Sequence, residues 1–186
     1  PPGGRVGQTA PVIRPRAGVT SRVTSRQGDF FVRFWGVRGS IPCPGPDTVR
    51  YGGNTSCLEV RCGEHLLIFD AGTGLRLLDR ALGDGALDAD VLFTHTHLDH
   101  VNGWAFFTHL REPGNRFAVW AGHLNDTHRI DAVLARFLED PLAPVNAGNL
   151  AAALTYHEFR QGDRLTPRPG VTIRTMKRVL YETPQA

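Results

Sequence analysis

Lysine is almost missing from this chain: Lys177 is the only one, so nearly all of its 21 basic side chains are arginine. The net charge of +3 that results is too small to argue for nucleic-acid binding by itself, even with a sequence pI of about 9.1. Methionine is equally scarce, with Met176 alone, and the chain opens at Pro1. That opening is not a translation start, which predicts processing or a fragmentary record. Cysteine is limited to Cys43, Cys57 and Cys62, an odd count with no Cys-x-x-Cys pair. A disulfide scaffold is thereby disfavoured and a reducing, cytoplasmic setting expected. No window approaches the roughly 18 apolar residues of a membrane span, and the first residues hold no apolar leader. What remains, 41% hydrophobic and 21% charged over 186 residues, is enough for one soluble globular domain with a real core.

Acids are also missing at the start. Residues 1–29 contain Asp29 as their only carboxylate and are rich in Pro, Gly, Arg, Ser and Thr. With no hydrophobic period, they read as a disordered or linker-like tail, and an upstream domain or linker is a partner the composition leaves open. From Phe30 onward the pattern is α/β. Phe30–Trp35 predicts a strand, Ser56–Arg61 and His65–Phe69 a hairpin around Cys62-Gly63-Glu64, and Leu75–Leu82 a helix stopped by Gly83. Asp90–Phe93 and Phe117–Trp120 predict further strands, Ile130–Leu138 an amphipathic helix, and Ala151–Phe159 and Val171–Thr175 extended segments. Trp104 and Phe106-Phe107 are expected in the core.

Against this ordinary background one segment stands out. Thr94-His95-Thr96-His97-Leu98-Asp99-His100 follows the apolar run Val91-Leu92-Phe93, so three imidazoles and a carboxylate fall within six positions. Neutral imidazole is the commonest zinc ligand, and a carboxylate among imidazoles suits divalent metals. In an extended segment residues two apart project to the same side, so His95 and His97 can grip one ion. Asp99 and His100 come where the chain turns and can reach a second. A solvated polar loop is the alternative, and it fits most isolated His-x-His pairs. The remaining histidines, His65, His109, His123, His128 and His157, lack metal-like spacing and read as surface or core residues.

Upstream lie an apolar strand ending in Asp70-Ala71-Gly72-Thr73-Gly74, the segment Phe34-Trp35-Gly36-Val37-Arg38-Gly39-Ser40-Ile41-Pro42, and Tyr51-Gly52-Gly53-Asn54-Thr55-Ser56-Cys57. Taken with the histidine segment, these resemble the metallo-β-lactamase superfamily, in particular its phosphodiesterase and ribonuclease Z-like branch, from about Phe30 to about Thr175. The resemblance implies a four-layer αββα sandwich, of which residues 30–186 hold the N-terminal half and a little more. It also implies a metal-dependent hydrolase, with His95 and His97 on the first ion and Asp99 and His100 on the second. Asp99 would in addition hold or deprotonate the attacking water, and Asp70 would be the buried acid beneath the site. Two zinc ions are expected, with manganese or iron as alternatives, and a phosphodiester such as a cyclic nucleotide or an RNA end as substrate. Partners are then that small substrate and, in principle, a second copy of the chain; no membrane is expected.

The chain departs from the family pattern in two places. Trp104 and Ala105 stand where the family has a small apolar residue and proline. Beyond Val171–Thr175 the family continues into a His-Pro-Gly-like motif and later supplies an aspartate and a final histidine, whereas this chain reads Met176 to Ala186. The sequence therefore predicts an incomplete domain, and the alternative to a hydrolase is an inert half-domain with weak metal binding or an interaction role.

Overall fold

In the computed structural model, residues 30–124, 128–141, 143 and 147–176 are described. The expected tail over residues 1–29 and the segment after Met176 lie outside them. The architecture is mixed α/β, as the alternation of strand and helix patterns predicts. Its main element is a six-stranded sheet in sequential order: β1 (Phe30–Gly36), β2 (Cys57–Cys62), β3 (His65–Phe69), β4 (Asp88–Phe93), β5 (Arg116–Ala121) and β6 (Ala153–Glu158). The first three strands are antiparallel neighbours, and β3 to β6 run parallel.

Local chemistry explains most of these bounds. The β2–β3 turn closes in two residues because Gly63 takes φ 58, which a side chain would resist. Cys62 belongs to β2 and not to the turn, one residue beyond the sequence expectation. Helix α1 (Leu75–Leu82) buries Leu75 and Leu78 on one stripe and ends at Gly83, whose φ of 69 carries the chain out of the helix. Helix α3 (Ile130–Phe137) turns Ile130 and Leu134 inward in the same way. Between them a single turn, α2 (Leu98–Val101), follows the end of β4.

Strand alternation divides the apolar residues between two faces. Leu66, Ile68, Val91, Phe93, Phe117 and Val119 face the helices and form the main core with Leu75, Leu78, Ile130 and Leu134. Trp104 and Phe107 join this core as expected, but Phe106 does not: it is 52% exposed, because the 3-10 turn Trp104–Phe106 points it outward. The opposite face carries Leu67 and Leu92, with Leu165, Val171 and Ile173 packed on them. There β7 (Arg164–Leu165) and β8 (Ile173–Arg174) pair as a small antiparallel sheet. Arg168, between those two strands, bonds the fully buried Asp90 and reaches Asp88 Oδ1 at 2.6 Å, while Trp120 Nε1 donates to Asp90 Oδ1 at 2.8 Å. Toward β1 this face is bare: Phe30, Val32 and Phe34 are exposed. Among the described residues β7 and β8 are the only strands of a second layer.

Candidate metal centre

Parallel strands deliver their C-terminal ends to the same edge of a sheet, and ligand sites gather there. Here that edge collects the turn after β3, the loop after β4 and the turn after β5. The first two are laced together by main-chain bonds: Asp70 N–H donates to Leu92 O at 3.0 Å, Ala71 N–H to His100 O at 2.7 Å, and Gly103 N–H to Ala71 O at 2.8 Å. Contact this close requires glycine. A Cβ on Gly72 would stand 2.3 Å from the Asp99 carbonyl oxygen and 2.5 Å from Thr55 Oγ1, and one on Gly103 would stand 2.1 Å from the Gly72 carbonyl oxygen.

Asp70 ties the edge together. It is 2% exposed and holds φ 60, an uncommon backbone for a residue with a side chain but one that aspartate tolerates. Its Oδ1 accepts the Thr94 amide at 2.9 Å; its Oδ2 accepts the Ser56 hydroxyl at 3.0 Å and lies 2.8 Å from His100 Nδ1. The Thr94 hydroxyl lies within 3.0 Å of both carboxylate oxygens and 3.1 Å from His95 Nδ1. An acid that binds the loop start and one of its imidazoles is the support metal-binding loops generally require.

Above Asp70 the three imidazoles of the sequence motif meet. Ring centroids of His95 and His97 are 4.6 Å apart and those of His95 and His100 3.9 Å apart. Burial, then the neighbouring His100 and His97, push His95 below the ordinary histidine value. That favours the neutral ring, the form that binds metal. Asp99 is 8% exposed. Burial pushes its carboxyl up, but the Ser40 amide and His100 outweigh this and hold it below the usual carboxylate range. The Ser40 N–H donates to Asp99 Oδ2 at 2.7 Å, from a residue whose own φ is 65. Nothing in the sequence distinguishes Ser40 from its neighbours; its role comes from a contact 59 residues away in the chain.

The donor set fits a divalent cation in its chemistry. His100 Nδ1 lies 2.8 Å from Asp70 Oδ2, and the other ring nitrogen, Nε2, faces Asp99 Oδ2, 3.3 Å away. An imidazole nitrogen and a carboxylate oxygen that face each other can share a metal ion. The side chains are gathered but not set around a point: among the described residues no three His, Cys, Asp or Glu side chains stand in an arrangement that would hold an ion.

Other residues named from sequence have other duties. Arg38 Nε donates to the Gly52 carbonyl at 3.0 Å and pins the glycine-rich loop. Thr55 is buried and exchanges bonds with Thr73, its amide reaching Thr73 Oγ1 at 2.9 Å. Cys57 is buried in the core and its thiol is pushed far up by desolvation, so it stays protonated and inert. One residue near the centre escaped the sequence reading. His123, just past β5, lies 3.0 Å by its Nε2 from Thr96 Oγ1, and burial followed by His95 pushes it below the ordinary histidine value. Only strand pairing brings it there, so spacing along the chain could not reveal it.

No protein-family model matches the chain, and no curated protein does. Solved structures do. The chain is similar to the metallo-β-lactamase fold protein YhfI from Bacillus subtilis, with 19% identity and a TM-score of 0.47 over 74% of this chain and 48% of that one. It is similar to a diphosphatase of the PhnP family, with 16% identity and a TM-score of 0.48 over 73% of this chain and 52% of that one. It is similar also to the short form of human tRNase Z, with 20% identity and a TM-score of 0.45 over 69% of this chain and 45% of that one. The chain thus spans about half the length of these structures.

Proposed function

We propose that this chain carries the first metal-binding half of a metal-dependent hydrolase whose substrate is a phosphodiester. The observation that carries the reading is the convergence of His95, His97, His100 and Asp99 at one sheet edge over the buried Asp70. His95 and His97 would hold one ion, Asp99 and His100 a second. Bound zinc would supply Lewis acidity, making water a nucleophile near neutral pH and offsetting charge that builds on phosphoryl oxygens. The protein's part is orientation and proton transfer. Asp99, ionised and fixed by the Ser40 amide, accepts the proton of the attacking water at a carboxylate oxygen. Asp70 would accept a hydrogen bond from His100 Nδ1–H and so fix which nitrogen of that ring faces the site. A phosphodiester such as a cyclic nucleotide or an RNA end is favoured by the sequence resemblance, which is densest through Gly103.

The non-enzymatic alternative, a half-domain that binds metal weakly, is favoured by one observation: among the described residues no three donors are arranged around a point. Metal content separates the two. The purified chain is stripped of loosely bound ions, reloaded with zinc, and its metal measured by elemental mass spectrometry. About two zinc ions per chain, followed by metal-dependent cleavage of bis(p-nitrophenyl) phosphate, is the expected result. Near-zero retained zinc overturns the hydrolase reading.

A further inference from the structure

We infer that His123 is a positioning residue of the candidate metal centre, acting through Thr96 to fix the His95–His97 turn; the inference rests on the metal reading above. Thr96 stands between the two histidines that would share an ion, and its hydroxyl lies 3.0 Å from His123 Nε2. The contact is built by the sheet. Parallel pairing of β4 and β5 sets Phe93 opposite Ala121, so the residues just past each strand, 94–97 and 122–124, lie side by side. The second of these turns is held in place on its own account. Phe159 N–H donates to the Ala121 carbonyl at 3.1 Å, and a Cβ on Gly122 would stand 2.2 Å from the Phe159 ring. His123 is therefore presented to Thr96 from a fixed base.

A second observation argues that this histidine is there for more than packing. Its Nδ1 is buried with no hydrogen-bond partner, alone in this respect among the described side chains. A buried polar atom left unmade is unfavourable, and an apolar residue of similar size would avoid the cost. Keeping an imidazole at this position makes sense if its other nitrogen does something an apolar residue cannot. Held by the ring, the Thr96 hydroxyl cannot rotate freely, and the backbone between His95 and His97 is fixed in turn. Positioning groups of this kind govern metal affinity without touching the metal.

The test is a double-mutant cycle on zinc affinity, read by competition with a chromogenic chelator. The proteins are the full chain, His123→Ala, Thr96→Val, the pair together, and Thr96→Ser, each checked for folding by circular dichroism. His123→Ala and Thr96→Val should each weaken zinc by about tenfold or more, the range for outer partners of metal ligands. The pair should be no worse than either alone, and Thr96→Ser, which keeps the hydroxyl, should bind like the parent. Should His123→Ala fail to fold, the near-isosteric Thr96→Val against Thr96→Ser carries the comparison. A folded Thr96→Val within twofold of the parent, or losses that simply multiply in the pair, overturns the inference and leaves the metal centre standing. A parent chain that takes up no zinc overturns both.

Discussion

Two histidine–aspartate pairs in this molecule are built alike and placed differently. His100 Nδ1 lies 2.8 Å from Asp70 Oδ2, and His109 Nδ1 lies 2.7 Å from Asp79 Oδ1. Each acid is also bonded by both the amide and the hydroxyl of one threonine, Thr94 for Asp70 and Thr108 for Asp79. What differs is the second ring nitrogen. His109 Nε2 is closed by the Gly83 carbonyl at 3.0 Å, which ties the end of α1 to the 3-10 turn Thr108–Arg111. His100 Nε2 instead faces Asp99, among the rings of His95 and His97. A cavity of about 640 Å³, lined in part by Arg76, Arg80, Asp79 and His109, adjoins the closed pair. Its histidine, bonded at both ring nitrogens, has no free nitrogen to offer. The lesson is that a histidine–aspartate pair is a structural tie or a reactive group according to what the far side of the ring meets.

The largest expected effect breaks the comparison at its acids. Asp70→Ala and Asp79→Ala should each cost about 3 kcal/mol of stability, since each strands several buried donors. Only Asp70→Ala should also weaken zinc, by about ten- to a hundredfold. Chemical denaturation and chelator competition on both variants measure the two quantities, and zinc loss in Asp79→Ala would show that the pairs are not separate. At the histidines the contrast should invert. His109→Ala should lower stability by about 2 kcal/mol with zinc affinity kept, whereas His100→Ala should cost less stability and lose zinc.

A smaller change bears on the packing beneath the open pair. Gly72→Ala must push aside the Asp99 carbonyl or Thr55, costing about 1–3 kcal/mol. Because the displaced atoms belong to the histidine loop proposed to bind metal, zinc should weaken together with the melting temperature; a variant that melts lower yet binds zinc unchanged would place the loop's geometry elsewhere.

The smallest effect comes from a tie without histidine, useful as a reference for the other two. The Arg168 guanidinium beside Asp88 holds that carboxyl below the usual range. A carboxyl depressed in the folded state adds stability that is complete above its unfolded value, near pH 3.9, and disappears as pH falls through the lower folded value. Asp88→Asn should therefore lower the melting temperature slightly at neutral pH, flatten its fall below about pH 4, and match the parent in strong acid. An unchanged acid slope would assign the loss to other carboxylates.

Much of this could be read along the chain. Strand alternation, the leucine stripe of α1 ended by Gly83, and the apolar run before Thr94 are short-range patterns, and short-range sterics enforce them. The histidine segment declared itself for the same reason: its donors lie within six residues. Phe106 was misjudged because apolar character does not say which way a 3-10 turn will point a ring. His123 and Ser40 could not be found, since each meets the centre across 27 and 59 residues respectively.

The sequence by itself determined the order of the main strands and helices, the histidine–aspartate segment and the family resemblance, because all three are written in residues near one another. Only the tertiary structure decided that Asp70 serves an open imidazole and Asp79 a closed one, that Ser40 holds Asp99, and that His123 reaches Thr96. Those outcomes depend on which strand ends lie side by side and on glycines that let loops touch. Such contacts are set by pairing register and close packing over the whole sheet, and no local stretch of chain contains them.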